Sequence, residues 1–127
     1  MGEGDILPEL VRGPITRHTL ALFAGASHDH VPLHTDSDFA RAAGMDDVFA
    51  HGMLSMAYLA QALRCWVSAE RLLSWNVRFT AITPLHATVH CRGHVIERDG
   101  NRARLSIGAW TDRNLHTLDG TAVIALD

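Results

Sequence analysis

The first half of the chain carries the hydrophobic period of helices. A run that Thr16 can cap continues through apolar positions to about Ser27, which predicts one helix. A longer run from about Gly52 to Ala69 has apolar residues at helical spacing and predicts a second. Its apolar stripe is so wide that most of this helix should be buried. The stripe comprises Met53, Met56, Ala57, Ala60, Leu63 and Val67, widened by Leu54, Leu59 and Trp66.

Shorter elements lie on either side of the first helix. The segment from Pro8 to Pro14 predicts a short strand or extended stretch. Between the two long helices, Ser37 or Asp38 can cap a short helix, and Gly44 would close it. This helix is predicted from Phe39 to Ala43.

The second half alternates apolar and polar residues with the period of strands. The strands are predicted at 74–81, 88–97, 103–110 and 117–126. Asp99-Gly100, between the second and third of them, has the chemistry of a favoured hairpin turn. Helices followed by an antiparallel meander predict a single α+β domain over residues 1–127, with the sheet packed on the long helix.

Composition narrows the class of protein. The chain is 47% hydrophobic and 20% charged, as in globular proteins, and its net charge of −3 argues against a nucleic-acid-binding surface. No signal peptide is evident, and the longest apolar stretch, Met53–Val67, is too short and interrupted to span a bilayer. We therefore expect a cytoplasmic protein that binds neither nucleic acid nor membrane, with Cys65 and Cys91 as buried reduced thiols.

The segment after the first helix holds the strongest candidate chemistry. Asp29 and His34 are five positions apart and would lie on different faces of a continuous helix. Pro32 prevents that helix, because its ring clashes with the preceding turn and it has no N–H to donate. The resulting turn can bring carboxylate and imidazole together, and such a pair can hold a water molecule and move a proton near neutral pH. The alternative is a structural pair, in which the carboxylate caps the turn and the imidazole makes a buried hydrogen bond.

A second candidate is the start of the long helix, at His51, Gly52 and Met53. A helix N-terminus has unpaired N–H groups and a partial positive charge. Because Gly52 has no side chain, a ligand oxygen can approach these groups closely, as at an oxyanion site. The alternative is an ordinary helix start with glycine at the cap.

A third candidate is the histidine cluster of His28, His30 and His34, with Asp29 and Asp36 nearby. Such a set of side chains could ligate a metal ion. An H-x-H pair points both rings to one side only in an extended strand, however, whereas the run leading into this pair is helical. The spacing defines no firm ligand set, so we predict no metal.

In chain order these segments form one longer pattern. They supply Phe23-Ala24-Gly25-Ala26-Ser27, Asp29, Pro32-Leu33-His34-Thr35-Asp36 and Ala50-His51-Gly52-Met53-Leu54, and later the strand Asn76-Val77-Arg78-Phe79-Thr80-Ala81. The pattern resembles that of the R-specific enoyl-CoA hydratases, the MaoC-like dehydratases of the hot-dog fold. The resemblance covers about residues 13–126. It implies an α+β hot-dog fold, in which an antiparallel β-sheet wraps around a long central α-helix.

The resemblance also implies a function. Members of this family reversibly hydrate trans-2-enoyl thioesters to (R)-3-hydroxyacyl thioesters, without a cofactor. By this likeness Asp29 and His34 would activate the water, and Gly52 with His51 would bind the substrate and its developing oxyanion. The substrate would be an acyl-CoA or an acyl-carrier-protein thioester. The protein would act as a homodimer or larger homo-oligomer, or as a heteromer with a related hot-dog subunit.

Two departures from the family pattern keep other functions open. His28 stands where the family has the glycine before the aspartate, and Val31 stands where it has the asparagine before the proline. The first alternative is therefore a non-catalytic subunit that binds acyl-CoA or completes a partner's pocket in a heteromeric dehydratase. A thioesterase of the same fold is a weaker alternative, because thioesterases do not use this D-x-x-P-x-H arrangement.

Overall fold

Helices fill most of the first half of the chain and strands most of the second, as the change of hydrophobic period predicts. A computed structural model describes residues 1–126; Asp127, the last residue of the predicted domain, lies outside the described residues. The helices are α1 (Arg17–Ser27), α2 (Ser37–Ala42) and α3 (Gly52–Trp66), with short 3-10 helices at Pro32–His34 and Ala69–Arg71. The strands are β1 (Leu10–Arg12), β2 (Leu72–Phe79), β3 (Val89–Asp99), β4 (Arg102–Thr111) and β5 (His116–Ala125).

Side-chain caps set where the first two helices begin. Thr16 caps α1 as predicted, since its hydroxyl accepts a hydrogen bond from the backbone N–H of Thr19 at 3.1 Å. The cap of α2 is Asp36, and not Ser37 or Asp38 as the sequence predicts. One oxygen of Asp36 accepts the N–H groups of residues 38 and 39, both at 3.1 Å. The acid therefore satisfies two first-turn donors, and α2 begins two residues earlier than predicted.

The order of the strands corrects the predicted meander. The five strands form one antiparallel sheet in the order β1-β3-β4-β5-β2. Only β3, β4 and β5 form a meander, whereas β2 pairs with β5 at the far edge. The reason is that α3 packs across one face of the sheet, in contact with β2, β3, β4 and β5. The strand that follows α3 therefore lies at the edge opposite β1. The predicted turn at Asp99-Gly100 is present, with φ of +61° at the glycine.

The core lies between α3 and one face of the sheet, which is the predicted hot-dog arrangement. The buried residues of α3 are Leu54, Ser55, Leu59, Ala62 and Leu63. The expectation that most of the helix is buried was too broad, because the sheet covers only one side of it. Met53, placed in the predicted stripe, is 56% exposed. The helix also ends at Trp66, before the predicted Ala69, because Val67 has extended backbone angles.

The two cysteines differ in environment. Cys91 is buried as predicted, and burial raises the pKa of its thiol to about 12. Cys65 is exposed, which corrects the prediction, because it lies on the side of α3 that the sheet does not cover. None of the helices within residues 1–126 combines the length and the hydropathy that a bilayer crossing requires.

Candidate active site

The kinked peptide after α1 brings Asp29 and His34 together. The helix stops at His28, whose backbone is left-handed with φ of 58°, and Pro32 opens the 3-10 helix that carries His34. One oxygen of Asp29 accepts the N–H of Val31 at 3.3 Å, which holds the carboxylate over the turn. Its other oxygen, Oδ2, lies 3.9 Å from Nε2 of His34. A single water molecule can reach both atoms at this separation.

A backbone carbonyl fixes the tautomer of His34. Nδ1 lies 2.7 Å from the carbonyl oxygen of Phe49, and because a carbonyl only accepts, Nδ1 must donate. The lone pair of the neutral ring is then on Nε2, the nitrogen that faces Asp29. The His34 side chain is 11% exposed and that of Asp29 is 41% exposed. The imidazole is therefore oriented as a base, next to a carboxylate that solvent or a ligand can reach.

Asp47 holds the loop that supplies this carbonyl. Its carboxylate accepts hydrogen bonds from the hydroxyl of Ser37 at 2.6 Å and the N–H of Val48 at 2.7 Å. It also pairs with Arg17 at 2.8 Å and Arg41 at 3.4 Å. The hydrogen bonds from Ser37 and Val48, with the two arginines, lower the pKa of Asp47. One carboxylate thus ties α1 and α2 to the segment before α3.

The N-terminus of α3 lies beside the pair. His51 is the N-cap residue, but its side chain makes no capping hydrogen bond. Gly52 is exposed and opens the helix, so its N–H has no intrahelical acceptor. A Cβ at this position would lie 2.9 Å from a ring carbon of Phe79, which is tighter than normal contact. A side chain at position 52 would therefore displace the exposed ring of Phe79, whereas glycine leaves both the ring and the approach to the N–H groups undisturbed.

His51 faces the pair and not the solvent. Its Nε2 donates to the backbone carbonyl of Asp29 at 3.0 Å, and its ring stacks on that of His34 with centroids 3.9 Å apart. The residue is only 1% exposed, and burial lowers the pKa of the imidazole. Among the described residues, the group whose geometry could hold a metal is Asp29, His34 and His51, with donor atoms within 4.8 Å. His28 and His30 are not part of it, so the histidine cluster considered from sequence does not form.

Comparison with known proteins places the chain in a family. A family model described as the MaoC like domain matches residues 8–114, which is most of the sequence. The chain belongs to the MaoC-like dehydratase family. The resemblance inferred from the sequence motifs is thereby confirmed.

Solved structures agree with this membership of the MaoC-like family. R-hydratase PhaJ1 from Pseudomonas aeruginosa, unliganded, superposes with a TM-score of 0.87 at 27% identity, over 98% of this chain and 82% of that one. An (R)-hydratase from A. caviae involved in PHA biosynthesis has a TM-score of 0.86 at 23% identity, over 100% and 98%. The ChsH1-ChsH2 complex from Mycobacterium tuberculosis gives 0.85 at 19% identity, over 99% and 98%. These likenesses confirm the hot-dog fold. No curated protein matched the chain.

Sequence reasoning missed three contributors to this MaoC-like site. The carbonyl of Phe49, the carboxylate of Asp47 and the ring of Phe79 were assigned no role. A backbone carbonyl has no sequence signal. The acidic pair at 46–47 in a predicted loop was a signal for Asp47, since an acid in a loop commonly binds backbone N–H groups.

Proposed function

We propose that this MaoC-like protein reversibly hydrates trans-2-enoyl thioesters to (R)-3-hydroxyacyl thioesters. The observation that carries the proposal is the position of Asp29, whose Oδ2 lies 3.9 Å from Nε2 of His34. The hydrogen bond from His34 to the Phe49 carbonyl supports it, because this bond leaves a base on the side where a water would sit. Family membership and the R-hydratase neighbours favour the same reaction class.

In the hydration direction, His34 takes one proton from the water as the water oxygen bonds to C3. The electron pair of the C2–C3 double bond moves toward the thioester carbonyl, which becomes an enolate oxygen. Asp29 orients the water, accepts the proton from the His34 imidazolium and passes it to C2 on the same face. The electron pair of the enolate forms the C2–H bond, and the thioester carbonyl is restored. One hydroxyl and one hydrogen are thus added, and both side chains return to their starting states. Dehydration is the same path in reverse.

The negative charge on the enolate oxygen requires donors that are already in place. The N–H of Gly52, at the positive end of the α3 dipole, is the donor we assign. His51 precedes it at the N-cap, with its ring against that of His34. Removing one such donor typically costs about 3 kcal/mol of transition-state stabilisation.

The acyl group would be carried by CoA or by an acyl carrier protein, and no metal or cofactor takes part in the proposed reaction. We further propose a homodimer or larger homo-oligomer, with a heteromer as the alternative. Strand β2 lies at an edge of the sheet, and Met53 and Phe79 beside Gly52 are 56% and 55% exposed. An apolar surface next to the site favours a second chain as the other wall of the substrate pocket. The cytoplasmic location stays a prediction.

The test is hydration of crotonyl-CoA and longer trans-2-enoyl-CoAs, followed by loss of absorbance of the conjugated thioester. We expect Asp29→Asn and His34→Ala each to lower kcat/KM by at least about a hundredfold, because each removes a proton-transfer group. The matched controls are Asp38→Asn and His18→Ala, which alter exposed residues and should leave turnover unchanged. Near wild-type turnover in both dyad variants would show that this pair is not the catalytic one.

A partner-completing subunit remains the second candidate function. The observation that favours it is His28, which adopts the left-handed conformation that glycine takes more easily, at a position where the family has glycine. Val31, in place of the family asparagine, is 46% exposed beside the pair. In this case the purified chain would be inactive alone and active on mixing with a related hot-dog subunit. Val31→Asn would raise hydration only if the isolated chain is itself catalytic.

A further inference from the structure

Three parts of the proposed site meet at His51. Its Nε2–H holds the backbone carbonyl of Asp29 at 3.0 Å. Its ring lies against the His34 ring with an angle of 24° between the planes, and its other side is closed by the ring of Phe23, edge-on at 5.0 Å. As the N-cap of α3 it also comes directly before Gly52. One buried side chain therefore contacts the backbone of Asp29 and the ring of His34, from the residue that precedes the helix.

The hydrogen bonding of His51 is incomplete in a way that a hydrophobic residue would avoid. Because Nε2 donates to a carbonyl, Nδ1 of the neutral ring is a bare acceptor. Nδ1 is buried and has no hydrogen-bond partner within residues 1–126. An unpaired buried acceptor is destabilising, so stability alone does not account for a histidine here. An aliphatic residue could supply neither the N–H donor nor the flat ring on His34, and phenylalanine could supply only the ring.

We propose that His51 is a positioning residue that sets the separation and angle of Asp29 and His34 without touching the substrate. The inference rests on the proposed hydratase function. The donor fixes the turn that carries the carboxylate. The stacked ring stops His34 from turning about its hydrogen bond to the Phe49 carbonyl. Because His51 itself stays neutral, no second positive charge opposes the imidazolium that His34 becomes during the reaction.

Two variants separate the contacts. His51→Gln keeps an amide N–H near the position of Nε2 but has no ring, whereas His51→Phe keeps a ring but has no donor. We expect each to lower kcat by about ten- to a hundredfold with KM within about threefold of wild type, as for a misplaced reacting group. His51→Leu, which keeps neither contact, should lose more than either.

His18→Gln, on the exposed face of α1, is the control for replacing a histidine by glutamine, and its kcat and KM should match those of wild type. Thermal midpoints must show that each variant is folded at the assay temperature. Wild-type kcat in both His51→Gln and His51→Phe would overturn the proposal. A rise in KM at unchanged kcat would also overturn it, since that pattern indicates direct substrate contact.

A readout without substrate distinguishes failure of this proposal from failure of the hydratase assignment. In histidine-ring nitrogen NMR spectra, we expect His34 to be the Nδ1–H tautomer in wild type and in His51→Leu, because the Phe49 carbonyl selects it. The His34 Nε2 signal should shift or broaden in His51→Leu, because the ring is no longer held at a fixed angle to Asp29. Unchanged His34 signals in His51→Leu would overturn the positioning role. If the wild type hydrates no enoyl thioester, the proposed function fails, while the ring spectra still decide whether His51 positions His34.

Discussion

At the scale of single residues, two backbone carbonyls select the tautomers of the neutral His34 and His51 rings. Phe49 accepts from Nδ1 of His34, and Asp29 accepts from Nε2 of His51. Each carbonyl can only accept, so each selects one tautomer of the imidazole that it binds. The neutral rings consequently carry their lone pairs on different nitrogens, and only His34 presents its lone pair to the carboxylate.

The oxyanion role of Gly52 can be tested by removing its N–H. Proline is well tolerated at the first position of a helix, and His51, with ψ of 134°, already has the extended backbone that must precede proline. We expect Gly52→Pro to lower kcat by about a hundredfold or more relative to Gly52→Ala, corresponding to about 3 kcal/mol.

Gly52→Ala is the matched control, because both substitutions add a Cβ against the Phe79 ring and only proline lacks the donor. Hydration of crotonyl-CoA by the two purified variants gives the comparison. Equal rates for the two would assign the loss to crowding and exclude the N–H as the oxyanion donor.

Burial of His51 predicts a pH dependence of stability. Burial lowers its pKa in the folded protein, whereas in the unfolded chain histidine titrates near pH 6.5. As the pH falls through about 6.5, the unfolded state takes up a proton that the folded state resists, so the free energy of unfolding decreases. Thermal midpoints should therefore fall more steeply on acidification in wild type than in His51→Gln. Parallel curves from pH about 7.5 to about 5.5 would contradict this.

At the scale of elements, α3 and β2 decide the geometry of the site. The N-terminus of α3 presents Gly52, and the end of β2 presents Phe79 against it. Within residues 1–126, the strand that pairs with β2 is β5, in a register that places Val77 opposite Gly120. The close approach of β2 to β5 therefore fixes the strand that places Phe79 against Gly52, the proposed oxyanion donor.

The glycine in this strand pair should be intolerant of a side chain. A Cβ at Gly120 would collide with the backbone oxygen of Asn76 and with Val77. We expect Gly120→Ala to lower the free energy of unfolding by about 1–3 kcal/mol, the usual cost of overpacking. Gly25→Ala in α1 is the control, because its Cβ meets nothing within 4 Å, and alanine there should be neutral or stabilising by up to about 1 kcal/mol. Denaturant unfolding of both variants measures the difference, and equal midpoints would contradict the close approach.

At the scale of the whole molecule, the site lies at the surface of the protomer. Gly52 is exposed, and the apolar side chains of Met53 and Phe79 surround it. The free edge of β2 is adjacent, and an unpaired edge strand is a template for pairing with another chain. These features favour an assembly that covers the site from outside.

We therefore expect the protein to have the mass of at least two chains in light scattering, and its specific activity to fall on dilution. Leu73→Asp places a charge on the edge strand, at a side chain that is 46% exposed, and should shift the mass toward one chain. Ile96→Asp is the control on β3, with a similar exposure of 43%. A fully active wild-type monomer would contradict the assembly.

Local chemistry in the sequence determined several of the helix boundaries and turns of this protein. The helix before Ser27, the threonine cap, the break at Pro32 and the turn at Asp99-Gly100 were all predictable, because each depends on residues within a few positions of one another. The motifs also identified the family, since they name residue types in order and need no coordinates.

Only the tertiary structure decided which elements pack together and how the side chains of the candidate site are oriented. The position of β2 beside β5, the buried side of α3 and the exposure of Cys65 depend on which surfaces pack together. The carbonyl that orients His34 is 15 residues away along the chain, and the stack with His51 joins two elements. Such contacts arise from packing between segments that are distant in the sequence. Hydrophobic periodicity does not indicate which of these segments will meet.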